Sequence, residues 1–203
     1  MSQTFSRRFT RWMTAGVCLL TLVAAGAFFS LNHSAQQENN ELAGGPIELP
    51  STRGAFSLTQ LEKDQVAVVS FGYTYCPDVC PMNQAVKKQA LTELTEEQRA
   101  RVVPLMISVD PERDSLERLK EYMGFFGDSF IGATGTQQQL EALAERYGVI
   151  WRRVEAEDSA MEYTIDHSSS MYVVDRDGRI LERVLYAPNA AGLVSALKAT
   201  LSS

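Results

Sequence analysis

Cys76 and Cys80 are the residues of this chain best placed to do chemistry. They sit four apart in Phe71-Gly72-Tyr73-Thr74-Tyr75-Cys76-Pro77-Asp78-Val79-Cys80-Pro81, directly after the apolar run Val66 to Phe71. Pro81 precedes a helix-like sequence from Met82, and proline favours the first helical position, which predicts Cys80 near the N-cap. The free N–H groups and positive pole of that end favour thiolate over thiol. Two convergent sulfurs of this kind can cycle between dithiol and disulfide, or can hold a soft metal. The bland alternative is a structural disulfide or two buried cysteines.

The third candidate is His167, the one histidine beyond His33, in Thr164-Ile165-Asp166-His167-Ser168. A lone histidine is more often structural or solvated. Here it is expected on a loop beside the cysteine turn, with Asp166 next to it as a candidate orienter of the ring. Two thiolates and one imidazole form a soft, low-coordinate set that suits Cu(I), with Zn(II) as the usual competitor. Structural zinc wants a fourth ligand, and the stretch holds no further Cys or His. Met82, Met161 and Met171 are the available thioethers, though Met82 and Met171 fall at helical or strand positions that read as core.

The elements that must position these groups follow in order. The chain has 203 residues and formal charge -6. Its first 35 residues hold Arg7, Arg8 and Arg11 and no acid, which leaves -9 for the remainder. Such a balance excludes nucleic acid and anionic lipid as natural partners of the domain. Residues 1–11 are short and basic, and Met13 to Leu31, bordered by Trp12, carries no charge. Residues 12–31 are therefore read as a single-pass transmembrane anchor, with Cys18 packing as a small hydrophobe. His33-Ser34-Ala35 is a poor cleavage site, and the sequence after Ser6-Arg7-Arg8 fits a twin-arginine signal badly, so the segment is read as uncleaved. The positive-inside rule puts the N-terminus in the cytoplasm and the domain outside, which is the periplasm for a bacterial inner membrane. Residues 32–45 read as a flexible tether, and 46–203 as one globular domain.

Within the domain, Ile47–Leu49 and Ala55–Leu58 are expected to form a hairpin. Val66–Phe71 reads as a central strand buried on both faces, followed by a helix with Val86, Ala90 and Leu94 inward. Arg101–Val109 is expected to be the next parallel strand. Asp114 with Glu117 resembles a capping box for a helix, and Thr136 with Gln139 opens another that ends at Gly148. Val149–Val154 reads as a strand and Glu155–Glu162 as a solvent loop. Strands at Ser170–Asp175 and Arg179–Leu185 turn around Asp177-Gly178, and Asn189 caps a closing helix with Leu193, Leu197 and Leu201 on one face. Crossover units followed by a hairpin and a terminal helix make an α/β mixed sheet with flanking helices. A cysteine pair at the end of the first crossover strand is where a thioredoxin-like fold keeps its active site.

Taken together, Tyr75-Cys76-Pro77-Asp78-Val79-Cys80-Pro81, Ser108-Val109-Asp110-Pro111-Glu112-Arg113-Asp114 and Asp166-His167-Ser168 ahead of a tyrosine-containing strand resemble the Sco/SenC family of copper-binding, membrane-anchored, thioredoxin-like proteins. The similarity runs from Pro46 to the C-terminus. It implies one copper ion, as Cu(I) or Cu(II), on Cys76, Cys80 and His167. It also implies delivery of copper to the dinuclear centre of cytochrome c oxidase subunit II or a similar copper protein. A copper donor and a thiol reductant would be further partners. The alternative within the family is a thiol–disulfide oxidoreductase that uses Cys76 and Cys80 to keep the partner's cysteines reduced. A peroxidase with Cys76 as attacking thiolate and a binding module without chemistry are the remaining readings. The Glu155–Glu162 loop looks like a variable segment that sets partner choice.

Overall fold

A computed structural model describes residues 44–155 and 162–202. The predicted anchor, Met161 and most of the predicted solvent loop lie outside the described residues. No helix among the described residues is long and apolar enough to cross a membrane.

The centre is β3 (Val66–Gly72), every residue of which is buried. It pairs in parallel with β4 (Val102–Ser108), and β4 pairs in parallel with β5 (Ile131–Ala133). Beyond β5 lies the hairpin of β1 (Glu48–Ser51) and β2 (Gly54–Ser57), which enters antiparallel. On the other flank β8 (Met171–Val174) runs antiparallel to β3, and β9 (Ile180–Val184) antiparallel to β8. The sheet order is β2-β1-β5-β4-β3-β8-β9. The expected mixed sheet is therefore present, with one strand the sequence did not announce. Three residues of β5, one a glycine, give no readable alternation.

Alternation along β3 sends Ala67, Val69 and Phe71 to one face and Val66 and Val68 to the other. The first face packs under α4 (Gln137–Tyr147) through Leu140, Leu143 and Tyr147. The second packs under α1 (Val79–Thr92), α3 (Leu116–Gly124) and α5 (Ala191–Leu201), through Val86, Ala90, Leu119, Met123, Leu193 and Leu197. Met82 and Met171 belong to this second core, which removes both as free thioethers. A short α2 (Glu96–Ala100) precedes β4 behind a Thr95–Gln98 capping box. The predicted Thr136–Gln139 box and the left-handed Gly148 (φ 60°) bound α4. Ala190, not the expected Asn189, is the N-cap of α5 and gives no side-chain cap bond, although the Asn189 side chain accepts from the Ala191 N–H.

Three local expectations fail. Asp78, not Cys80, occupies the N-cap of α1, and Pro81 is the third helical residue. Ser115, not Asp114, caps α3, accepting from the Arg118 N–H. Tyr163–His167 is a strand, β7, not a loop. It pairs antiparallel with β6 (Trp151–Glu155) in a separate two-stranded sheet, with Trp151 opposite His167.

Candidate metal centre

The three predicted residues meet. The Cys76 and Cys80 sulfurs and a His167 ring nitrogen all lie within 4.8 Å of one another. Cys80 is buried, Cys76 and His167 are half-buried, and both cysteines are free thiols.

Each side chain is held by its own element. Cys80 sits in the first turn of α1, and its sulfur rests on the end of β3. A Cβ added to Gly72 would lie 2.7 Å from the Cys80 Sγ. Cys76 lies in the turn between β3 and α1, where its N–H donates to the Tyr73 carbonyl. The Cys80 N–H, one of the donors a helix leaves unpaired in its first turn, points at the Cys76 Sγ at 3.4 Å. The positive end of α1 therefore serves Cys76.

His167 is the last residue of β7. Its edge is fixed to β6 by Ser168 N–H donating to the Ile150 carbonyl. Tyr73 reaches across from the cysteine turn, its hydroxyl accepting from the Ile165 N–H at 3.1 Å. The Tyr73 ring meets the imidazole edge-on at 6.0 Å. The Asn83 side chain on α1 donates to the Ser169 carbonyl, tying the segment after the histidine to the same helix. Asp166 does not orient the ring, because it faces outward to Arg152 at 3.2 Å. The orienter is the Ser168 carbonyl, 2.9 Å from Nδ1. A carbonyl only accepts, which assigns the proton to Nδ1 and leaves the Nε2 lone pair facing the Cys80 Sγ at 3.1 Å.

The sulfurs are electrostatically unequal. A hydrogen bond from Cys80 is the largest influence on Cys76, followed by burial, which opposes it, and by His167 and backbone N–H groups. Together they push Cys76 down to about 4. The same pairing and burial push Cys80 far up. In the reduced protein Cys76 is the thiolate and Cys80 the thiol that supports it.

Two further groups brace the turn. The buried Asp114 carboxylate accepts from the Thr74 N–H (2.9 Å), the Thr74 hydroxyl (2.6 Å) and the Ser108 hydroxyl (2.6 Å). Arg113 pairs with Asp110 at 2.6 Å and lies over the Tyr163 ring at 3.4 Å, with Tyr75 4.9 Å away. It links the cysteine turn, the loop after β4 and the start of β7. The pattern Asp114 to Glu117 suggested a cap and hid the real role of that carboxylate.

The SCO1/SenC family profile matches residues 35–202. The chain belongs to the SCO1/SenC family. A SCO2-like protein of Rickettsia conorii is 34% identical over 145 residues, which span 71% of this chain and 70% of that one. The crystal structure of Arabidopsis thaliana ScoI with copper bound superposes with a TM-score of 0.71 at 30% identity, covering 79% of this chain and 98% of that one. BsSco, described as having a disulfide switch and as a member of the Sco family of cytochrome c oxidase assembly proteins, matches with a TM-score of 0.59 at 25% identity, over 80% and 95% of the two chains. The mixed sheet of this SCO1/SenC chain is thus thioredoxin-like, as its strand order suggested.

Proposed function

We propose that this chain is a copper carrier that binds one copper ion through Cys76, Cys80 and His167 and delivers it to the dinuclear copper centre of cytochrome c oxidase subunit II or a copper protein of that type. The observation that carries the reading is the convergence of two sulfurs and one lone-pair imidazole nitrogen within 4.8 Å. Such a donor set is soft, preorganised and low in coordination number, which favours Cu(I). Copper-bound structures within the family support the same cargo. Residues 12–31 would anchor the protein in the inner membrane with the N-terminus cytoplasmic, and residues 32–45 would tether the domain in the periplasm. A reporter enzyme active only outside the cytoplasm, fused after residue 45, tests that orientation; an inactive fusion refutes it.

A second reading is favoured by the unequal sulfurs. Cys76 as thiolate can attack a partner's disulfide, giving a mixed disulfide. Cys80 then attacks Cys76, releases the partner's dithiol and leaves a Cys76–Cys80 disulfide, so two electrons pass. A thiol reductant would restore the pair.

One experiment separates the two readings. His167→Ala removes a copper donor and spares both sulfurs. In cells carrying it as the sole copy, at low copper, the carrier reading expects oxidase activity as low as in Cys76→Ser or Cys80→Ser cells. Near-normal oxidase in His167→Ala cells, at wild-type protein level, would replace the carrier by the reductase.

A further inference from the structure

Behind the sulfurs, on the same face of α1, lies a lysine that none of this chemistry uses. Lys87 is 1% exposed. Its Nζ donates to the Ser70 hydroxyl at 2.8 Å and to the Leu105 carbonyl at 2.7 Å. Gln84 donates to the same Ser70 oxygen at 3.2 Å. No carboxylate lies within ion-pair distance of Lys87 among the described residues. A buried ammonium with only neutral acceptors is expensive to keep. Stability alone would favour an apolar side chain at this point of the second core.

The position of the cation follows from β3. Ser70 and Gly72 are two apart and share a face of the strand. Cys80 Sγ rests against Gly72, and Lys87 Nζ rests on Ser70. One two-residue repeat of a strand is about 6.5 Å, which sets the approximate separation of the ammonium and the sulfur, both of them buried. Burial pushes the Lys87 ammonium well below the ordinary lysine value, and the charge of Cys80 pulls it back up. The cation is therefore most favourable when the sulfur is charged.

The charge of the loaded site completes the argument. Two thiolates and Cu(I) sum to one negative charge, whereas two thiolates and Cu(II) sum to zero. We infer that Lys87 is the buried counter-charge of the cuprous site, a positioning residue that selects Cu(I) over Cu(II). The inference rests on the copper reading above and deepens it by naming the valence. At about 7 Å and an effective dielectric of about 20, the one-charge difference between the two loaded states is worth about ten- to a hundredfold in the preference for Cu(I) over Cu(II).

The test uses the full-length reduced protein and Lys87→Met, which keeps the length of the side chain and removes its charge. Cu(I) and Cu(II) affinities are measured by competition with chelators of each ion, together with the midpoint potential of the bound copper. The reduced empty site, one thiolate and one thiol, already carries the single negative charge of the Cu(I)-loaded site, so Lys87→Met should bind Cu(I) nearly as before and Cu(II) about ten- to a hundredfold more tightly. The potential should fall by about 59 mV for each tenfold. Equal changes for both ions, with an unmoved potential, would mean a packing role and would overturn the proposal. If Lys87→Met does not fold, Ser70→Ala/Lys87→Met, which also removes the hydroxyl left beneath it, takes its place under the same criteria. Failure of the copper reading looks different: the wild type itself would then bind copper no better than Cys76→Ser/Cys80→Ser.

Discussion

Cys76 and Cys80 are the same residue type four positions apart, yet the fold gives them opposite states. The reason is which sulfur the first-turn N–H of α1 meets, and that is the sulfur outside the helix. The sequence placed Cys80 near the N-cap, where thiolate is favoured, because Pro81 implied a helix start two residues later than Val79. A shift of that size is common in reading a helix boundary, and here it exchanged the roles of two sulfurs. With Cys76 held down to about 4, it should be fully reactive toward iodoacetamide at pH 6, where an ordinary cysteine near 8.5 reacts far more slowly. Peptide mapping after brief alkylation should find the label on Cys76 and almost none on Cys80. The Cys80→Ser variant loses the strongest influence on Cys76, so its reaction should move toward the ordinary pH range. Preferential labelling of Cys80 at pH 6 would refute the assignment. The donors themselves were legible as residue types, because the domain holds so few cysteines and histidines. The partner of the imidazole was not, since the Ser168 carbonyl carries no side-chain signature.

At the scale of elements, the end of β3 is where strand, helix and hairpin meet. Gly72 is there for lack of a side chain, since its missing Cβ leaves the space in which the Cys80 sulfur sits. Gly72→Ala should push the sulfur off the strand end and weaken Cu(I) binding at least tenfold, at an overpacking cost of about 1–3 kcal/mol. Chelator competition and urea unfolding on the same sample check both figures. Wild-type copper affinity in a folded Gly72→Ala protein would show that the sulfur has room to spare. The long buried strands of this region and the presence of its helices were readable from pattern alone, but the caps of α1 and α3 were not. Val149–Val154 reads as a strand, as β6 is, but β7 and its pairing with β6 were not legible, because no residue of β6 is buried and β7 mixes polar and apolar residues. The pair is braced by Tyr73 and Arg113 from elsewhere in the chain and by Ser168 at the end of β7.

For the whole molecule, a metal that binds only the folded protein stabilises it by mass action, by about 4 kcal/mol at a thousandfold excess over Kd. For a domain of this size that is a rise of about 8–16 °C in melting temperature. Calorimetry of the reduced full-length protein with and without Cu(I) checks it, and an unmoved transition at saturation would count against a site formed by folding. The mixed sheet as a whole was legible because crossover strands, a terminal hairpin and a last helix with one apolar face each follow simple periodicities. What folds the site together, the buried Asp114 and the Arg113 stack, was hidden because both depend on residues far away in sequence.

The separation of the donors along the chain has a topological consequence. Cys80 and His167 are 87 residues apart, whereas Cys76 and Cys80 are four apart. An ion shared by all three donors is a removable staple around more than half of the domain, while a disulfide between the cysteines closes only the short turn that leads into α1. In a chain-statistics picture the first constraint restricts the unfolded ensemble far more than the second. Loaded and oxidised protein would thus share one site while differing in how hard the chain is to open, so handing over the cargo also hands back the chain's freedom to unfold.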